Sequence, residues 1–287
     1  MRQSDRETPL ARNNLMKKFG LIGYPISHSL SPALFKAAYN GKYIYDLIEI
    51  EDFETAYQKF LDEYAVINVT APFKGSAFQK ADIVSEDCKA IGATNILMKR
   101  EDGKIVAGNS DHLGVSGAIA DNITPEMSIS KVALIVGCGG AAKAAAYATC
   151  KDGYSTVIIN RNFGKAQEFA ESLKNLGGFD AKAEPMSEFS RYFREAGVIV
   201  YTLPLHIPAL EQLGEDDIRG VPAASKILLE ANYKDPSFSR EDIERLRKIN
   251  PELVYVHGKE WLLHQAVGAY KSFTGEDPNI ENMRKVL

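Results

Sequence analysis

The chain is poor in the residues that build metal centres and disulfide scaffolds. It has three cysteines in 287 residues, none in a CxxC pair, and none of its five histidines belongs to an HExxH pattern, so we expect no catalytic metal. No apolar run is long enough to span a membrane. A formal net charge of −4 also argues against a nucleic-acid-binding surface. These absences exclude membranes and nucleic acids from the expected partners.

The remaining composition is typical of a globular protein with two domains. Hydrophobic residues make up 45% and charged residues 25% of the chain, and its length allows two domains that each bury a core. The few cysteines suit a reducing compartment, which predicts a cytoplasmic protein. Residues 1–18 mix basic and acidic side chains without an apolar centre, which predicts a flexible N-terminal tail rather than a targeting signal.

The most informative stretch is a glycine-rich turn between an apolar run that ends at Val136 and an alanine-rich helix former. In a dinucleotide-binding unit the first glycine permits a tight turn, the second admits a pyrophosphate, and a small third residue lets helix pack on strand. Gly137, Gly139 and Ala142 occupy these positions. The N–H groups of the new helix then face the phosphates, although a tight turn without a ligand has the same pattern. The predicted cofactor contacts are Gly137, Gly139, Gly140 and Ala141.

The next apolar strand, Ser155–Ile159, indicates which nucleotide is bound. An NAD site usually places Asp or Glu at this strand end, whereas a nearby Arg accommodates the 2′-phosphate of NADP. No acidic residue follows the strand; Asn160 and Arg161 do, with Lys165 one helical turn further on. An ordinary basic helix start is the alternative, but the pattern favours NADP. Asn160, Arg161 and Lys165 are therefore predicted to bind the cofactor.

Strands also alternate with helices through the first half of the chain, which predicts a largely parallel α/β sheet. Polar residues recur where these strands end, at Thr70, Asn95 and Asp111. Ligands of open α/β sheets bind at the carboxyl ends of the strands. These three residues are therefore candidate ligand contacts.

Two serines stand before the first predicted helix. Ser31 precedes Pro32, which fits a helix N-cap followed by proline at the first helical position. Capping does not account for Ser29. Its hydroxyl suits a carboxylate or polyhydroxylated ligand, with a local serine turn as the alternative.

An ordered set of motifs runs through both halves of the chain, from about Phe19 to Gly275. The first half carries Gly23-x-Pro-Ile-x-His28-Ser29-x-Ser31-Pro32, Asn68-Val-Thr70-x-Pro72-x-Lys74, Gly92-Ala-x-Asn95 and Asn109-Ser110-Asp111. The second half carries Gly137-x-Gly139-Gly140-Ala141, Asn160-Arg161, Tyr233 and Gly258-x-x-x-Leu262-x-x-Gln265. With this set, the chain resembles the shikimate dehydrogenase family.

The resemblance implies two α/β domains with the active site in the cleft between them. Residues 19–112 and 258–287 are expected to form a substrate-binding domain with a mostly parallel sheet. Residues 113–257 are expected to form a Rossmann-type NADP-binding domain. The resemblance also implies a small-molecule substrate, shikimate or a close relative, and a monomer or a homodimer.

The family's residue roles fall on matching positions of this chain. Lys74 is the expected acid/base catalyst, with Asp111 orienting it, because a nearby ammonium stabilises the alkoxide that forms when hydride reaches a ring ketone. The implied substrate-binding residues are Ser29, Ser31, Thr70, Asn95, Tyr233 and Gln265. Thr202 and Gly258 join the cofactor-binding residues given above.

The chain departs from the family pattern near the expected nicotinamide site. Tyr201-Thr202-Leu203-Pro204 stands where Asn-Ala-Thr or Asn-Ala-Ser is usual, and Trp261 stands where Met is usual. The resemblance predicts an NADP-dependent shikimate dehydrogenase. A quinate or aminoshikimate dehydrogenase that uses NAD or NADP is the neighbouring alternative, and a non-catalytic sensor of a shikimate-like ligand is the alternative from another class.

Overall fold

The computed structural model describes residues 18–220 and 225–287. They form two α/β units, each built around a six-stranded sheet, and this confirms the predicted fold class. The predicted tail lies outside the described residues except for Lys18, which begins the first strand. Among the described residues, no helix is both long and apolar enough to cross a membrane.

The first sheet comes from the N-terminal half and is mostly parallel, as predicted. Its strands are β1 (Lys18–Gly23), β2 (Ile44–Glu49), β3 (Val66–Val69), β4 (Ile83–Val84), β5 (Ile96–Lys99) and β6 (Ile105–Gly108). They lie in the order β2-β1-β3-β5-β6-β4. Only β5 runs antiparallel to its neighbours, and it forms a hairpin with β6. Strand β4 is too short to show the alternation by which a strand is predicted.

The second sheet is parallel throughout. Its strands are β7 (Val132–Val136), β8 (Ser155–Ile159), β9 (Ala181–Glu184), β10 (Val198–Tyr201), β11 (Lys226–Glu230) and β12 (Leu253–Val256). They lie in the order β12-β11-β10-β7-β8-β9. Read from β9, the strands follow the 3-2-1-4-5-6 order of a dinucleotide-binding fold. The strand order reverses at β7, which leads into the glycine-rich turn.

Helices cover both faces of both sheets. In the first half they are α1 (Ser31–Ala38), α2 (Phe53–Glu63), α3 (Lys74–Gln79), α4 (Glu86–Ile91) and α5 (Asp111–Ala120). The second half adds α6 (Gly140–Lys151), α7 (Phe163–Gly177), α8 (Phe189–Glu195), α9 (Pro208–Glu211), α10 (Glu215–Arg219), α11 (Arg240–Ile249), α12 (Gly258–Thr274) and α13 (Ile280–Arg284). Short helices such as α9, α10 and α13 span too few turns to show a clear helical period.

Four apolar clusters hold these layers together. On the first sheet, α1 and α12 pack on one face through residues such as Phe35 and Leu263, and α2 packs on the other through Phe60. On the second sheet, α5, α6 and α7 cover one face, and α8 to α11 cover the other. Because both of its faces are buried, the glycine-motif strand β7 is apolar along its length rather than alternating.

Helices α5 and α12 approach each other closely at two glycines of α5. A Cβ atom on Gly117 would lie 2.5 Å from the ring of His264, and one on Gly114 would lie 2.7 Å from the main-chain oxygen of Trp261. Only a residue without a side chain leaves room for this contact. The predicted domain boundary, between residues 112 and 113, falls inside α5, and the division into domains stays a prediction.

We expect Gly117→Ala to lower the free energy of unfolding by about 1–3 kcal/mol, because the new methyl group must displace the His264 ring in a packed interface. Equilibrium urea unfolding measures the change. Gly164→Ala in α7 is the matched control, since its Cβ would meet its nearest atom at an ordinary 3.6 Å. Equal stability of Gly117→Ala and the wild type would contradict the close approach.

Candidate active site

One cavity of about 410 Å³ opens between the two units, at the carboxyl ends of β1 and β3 and against α12. It brings together all eight residues predicted to bind substrate or to catalyse. These are Ser29, Ser31, Thr70, Lys74, Asn95, Asp111, Tyr233 and Gln265. Their positions agree with the rule that ligands of α/β sheets bind at the strand ends; their individual roles stay predictions.

An ion pair between Lys74 and Asp111 lies in this cavity. Lys74 begins α3 and Asp111 begins α5, and the Lys74 ammonium donates to Oδ2 of the carboxylate. The Asp111 side chain is only 4% exposed, while that of Lys74 is 23% exposed. The negative charge is therefore held inside the protein, and the ammonium faces the cavity with protons to donate.

The Asp111 carboxylate is held from its other side by Asn95. The Asn95 amide Nδ2 donates to Asp111 Oδ1 at 2.8 Å and to Ser110 Oγ at 3.0 Å. Its Oδ1 accepts from the Ser110 N–H at 2.8 Å, which fixes the orientation of the amide group. The Asp111 N–H donates to Asn109 Oδ1 at 2.9 Å. Asn95 thus uses both amide protons to position Asp111 and its neighbour.

Ser29 and Ser31 place two hydroxyl groups together at the cavity wall, with their Oγ atoms 3.2 Å apart. The prediction that Ser31 caps α1 is wrong. Leu30 takes the N-cap position with a helical ψ of −6°, and no side chain caps the helix. The helix begins one residue earlier than the proline pattern indicated, so the Ser31 hydroxyl faces the cavity instead of the helix N–H groups.

Three polar residues behind these groups were not among the predicted site residues. Tyr45 donates to Asn68 Oδ1 at 2.7 Å, and Asn68 Nδ2 donates to the main-chain oxygen of Asn95 at 3.2 Å. Tyr270 donates to the main-chain oxygen of Ser31 at 3.1 Å. The sequence offered one signal for Asn68, which is a polar residue inside the apolar strand β3. The sequence offered no such signal for Tyr45 and Tyr270, because their neighbours in the chain are typical of aromatic residues in a protein core.

Tyr233 lines the same cavity from the loop after β11. Burial raises the pKa of the Tyr233 hydroxyl above its ordinary value, so this group is a neutral hydrogen-bond donor at physiological pH. Gln265 approaches from α12, one turn after Trp261. The cavity therefore offers uncharged donors around a single ammonium, an arrangement suited to a hydroxylated carboxylic acid.

His112 lies directly behind Asp111 and is buried among helices of both units. Burial lowers the pKa of His112, against the opposite effect of the Asp87 carboxylate, whose Oδ2 lies 3.7 Å from the ring Nε2. The ring packs edge-on against Tyr147 of α6. A neutral imidazole at this point adds no positive charge beside the Lys74–Asp111 pair.

We expect His112 to make the fold less stable as the pH falls below about 6.5, the ordinary histidine pKa. Below this pH the His112 side chain becomes protonated in the unfolded chain. In the folded chain its lowered pKa disfavours the same protonation, so acid favours unfolding. Urea unfolding at pH 7, 6 and 5 should show a smaller loss of stability for His112→Gln than for the wild type. His28→Gln, at an exposed residue, is the control. Parallel pH dependences for His112→Gln and the wild type would contradict this.

A second cavity, of about 300 Å³, lies over the glycine-rich turn. It is lined by Gly137, Gly139, Gly140, Ala141, Asn160, Lys165 and Thr202, all predicted cofactor residues. Arg161 is exposed beside it, directly after β8 and Asn160. Gly258 lines the first cavity instead, at the start of α12.

The glycine-rich turn has the geometry that a nucleotide pyrophosphate needs. Gly137 has a φ of +118°, and a Cβ there would clash with the Thr202 hydroxyl, so the turn requires glycine. No side chain caps α6, whose N-terminal N–H groups are left for a ligand, and nothing lies within 4 Å of a Cβ on Gly139. These residues fit a dinucleotide cofactor.

The two cavities meet at the start of α6. Ala141 lines both of them. A Cβ on Gly140 would lie 3.9 Å from the Cδ atom of Lys74. The space over the glycine-rich turn therefore adjoins the side chain of Lys74.

Known proteins resemble the chain over most of its length. Residues 21–97 match a family model described as shikimate dehydrogenase substrate binding domain, and residues 118–212 match one described as shikimate / quinate 5-dehydrogenase. The chain is 30% identical to a shikimate dehydrogenase (NADP(+)) of Carboxydothermus hydrogenoformans, over 96% of this chain and 98% of that one.

Two further relatives extend the comparison. A bifunctional 3-dehydroquinate dehydratase/shikimate dehydrogenase of Arabidopsis thaliana is also 30% identical over 90% of this chain, which spans 44% of that longer protein. The shikimate 5-dehydrogenase of Thermus thermophilus, solved in complex with NADP(H) and shikimate, has a TM-score of 0.73 and 26% identity. That match covers 95% of this chain and 100% of the solved one.

Proposed function

The chain belongs to the shikimate dehydrogenase family, and we propose that it is an NADP-dependent oxidoreductase that interconverts 3-dehydroshikimate and shikimate. The observation that carries the proposal is the Lys74–Asp111 ion pair, which lies in a cavity of uncharged donors beside the glycine-rich turn. An oxidoreductase that reduces a ring ketone needs a proton donor at the point where a hydride arrives. In this proposal Lys74 is that proton donor.

Lys74 acts as the acid in ketone reduction and as the base in the reverse direction. Its ammonium donates a proton to the ketone oxygen as negative charge develops there, and it regains a proton from the alcohol on oxidation. When bound, the nicotinamide nucleotide supplies or accepts the hydride. Asp111 accepts from the ammonium and limits its motion, so the proton stays aimed at the reacting oxygen.

The other residues of the cavity orient the ring. The paired hydroxyls of Ser29 and Ser31 can both donate to the substrate carboxylate. Thr70, Gln265 and Tyr233 line the remaining space; in this proposal Thr70 and Gln265 pair with ring hydroxyls, and Tyr233 lies near the carboxylate. A site built to hydrogen-bond hydroxyl groups rejects analogues that lack them, because its own buried polar groups are then left unpaired.

Residues at the glycine-rich turn hold the cofactor in this proposal. The N–H groups at the start of α6 face the pyrophosphate, and Arg161 and Lys165 supply positive charge for a 2′-phosphate. No acidic residue follows β8 to bind a free ribose 2′-hydroxyl. This charge pattern is the support for NADP over NAD.

The test of the reaction is reduction of the nicotinamide by purified protein with shikimate or quinate, each with NADP⁺ and with NAD⁺. The proposal expects the highest kcat/KM for shikimate with NADP⁺. A preference for quinate or for NAD⁺ would overturn the stated specificity but keep the reaction class. Shikimate binding by calorimetry without turnover in any combination would indicate a sensor.

We expect Lys74→Ala to lower kcat by about 10²- to 10⁴-fold, because the variant lacks the proton donor. Binding of shikimate should stay measurable by calorimetry, since the groups expected to bind the ring remain. Lys89→Ala, at an exposed lysine of α4, is the control and should keep its turnover. A Lys74→Ala protein with near wild-type kcat would refute the assigned role.

We expect Arg161→Ala to raise the KM for NADP⁺ by about 10- to 100-fold, the range for a lost hydrogen bond to a charged group. The KM for NAD⁺ should change little, because NAD⁺ has no 2′-phosphate. Arg247→Ala, at an exposed arginine of α11, should leave both constants unchanged. An equal effect on the two cofactors would contradict recognition of the 2′-phosphate by Arg161.

A further inference from the structure

Trp261 is the single tryptophan of the chain, and it joins α12 to the first residue of α5. Its indole Nε1 donates to the main-chain oxygen of Asp111 at 3.0 Å, across 150 positions of sequence. The side chain is buried, and it also lines the substrate cavity. A buried indole N–H with a defined acceptor next to a catalytic carboxylate calls for an explanation beyond filling space.

Every polar group of Asp111 has a hydrogen-bond partner, and one of these partners has a different origin from the others. The N–H donates to Asn109, and the two carboxylate oxygens accept from Asn95 and Lys74. These partners precede Asp111 in the first unit. The main-chain oxygen accepts from Trp261, which comes from the returning helix α12. The indole is thus the contact that ties Asp111 to the wall of the cavity that α12 supplies.

The packing around the indole is built to admit it. Gly114, one turn after Asp111, carries no side chain where α12 lies closest, and a Cβ there would meet Trp261. Gln265, which lines the cavity one turn further along α12, lies against the same glycine. A shift of α12 relative to α5 would therefore move Asp111 and Gln265 relative to each other.

We propose that Trp261 is a positioning residue. Its indole N–H holds the start of α5, and with it the Lys74–Asp111 pair, in a fixed position relative to the part of the cavity that α12 forms. The inference rests on the function proposed above. Trp261 acts through Asp111, and it needs no chemistry of its own. The relative position of α5 and α12 matters because small misplacements of a proton donor lower a rate strongly while affecting ground-state binding little.

The kinetic test compares Trp261→Phe, which keeps an aromatic ring and removes the N–H, with the wild type. The expected result is a kcat about tenfold lower, with a Kd for shikimate, measured by calorimetry, that changes less than about threefold. Leu263→Ala is the stability control, since Leu263 is fully buried in the first-unit core and does not line the cavity. Its kcat per folded molecule should match the wild type.

A readout independent of turnover follows the hydrogen bond from Asn95 to Asp111. In Trp261→Phe the Asn95 side-chain amide protons, assigned by nuclear magnetic resonance, should exchange with solvent about tenfold faster than in the wild type. They should keep their protection in Leu263→Ala. The proposal would be overturned if kcat and the exchange rate were both unchanged in Trp261→Phe. It would also be overturned if Leu263→Ala lost as much kcat and as much protection from exchange as Trp261→Phe. If the wild type turns over no substrate, the reaction assignment fails, and the exchange comparison still decides the role of Trp261.

Discussion

The close contact between α5 and α12 is the constraint on which the site depends. Helix α5 begins at Asp111 and leads into the second unit, and α12 begins at Gly258 and returns to pack on the first sheet. Gly114 and Gly117 let the two helices approach to a distance that any side chain would prevent. The Lys74–Asp111 ion pair and the α12 wall of the cavity are consequently joined through one closely packed contact between helices.

Burial of the Asp111 carboxylate imposes a second requirement. A charged side chain that is only 4% exposed is costly unless each oxygen has a hydrogen-bond donor. Lys74 and Asn95 satisfy the two oxygens, and the position at the first residue of α5 adds the favourable end of a helix dipole. The contacts that offset the cost of burying the Asp111 charge also direct the Lys74 ammonium into the cavity.

The site at the glycine-rich turn was more predictable than the cavity that contains Lys74 and Asp111. Its glycine turn, flanking strand and helix lie consecutively in the chain, and the positive φ of Gly137 is a local property of that turn. That cavity instead collects Ser29, Lys74, Asp111 and Gln265 from four distant segments. The motif resemblance placed them together; the periodicity of the chain alone gave only the tendency of polar residues to follow strands.

The sequence by itself determined the alternation of strands and helices, the parallel second sheet and the glycine-rich turn that follows β7. These features depend on local hydrophobic periodicity, turn residues and short motifs, which neighbouring residues encode. Only the tertiary structure decided that Ser31 faces the cavity instead of capping α1, and that Trp261 bonds Asp111. Such contacts depend on how distant elements pack, and the chain carries no local pattern that specifies which side chain will fill the space beside Gly114.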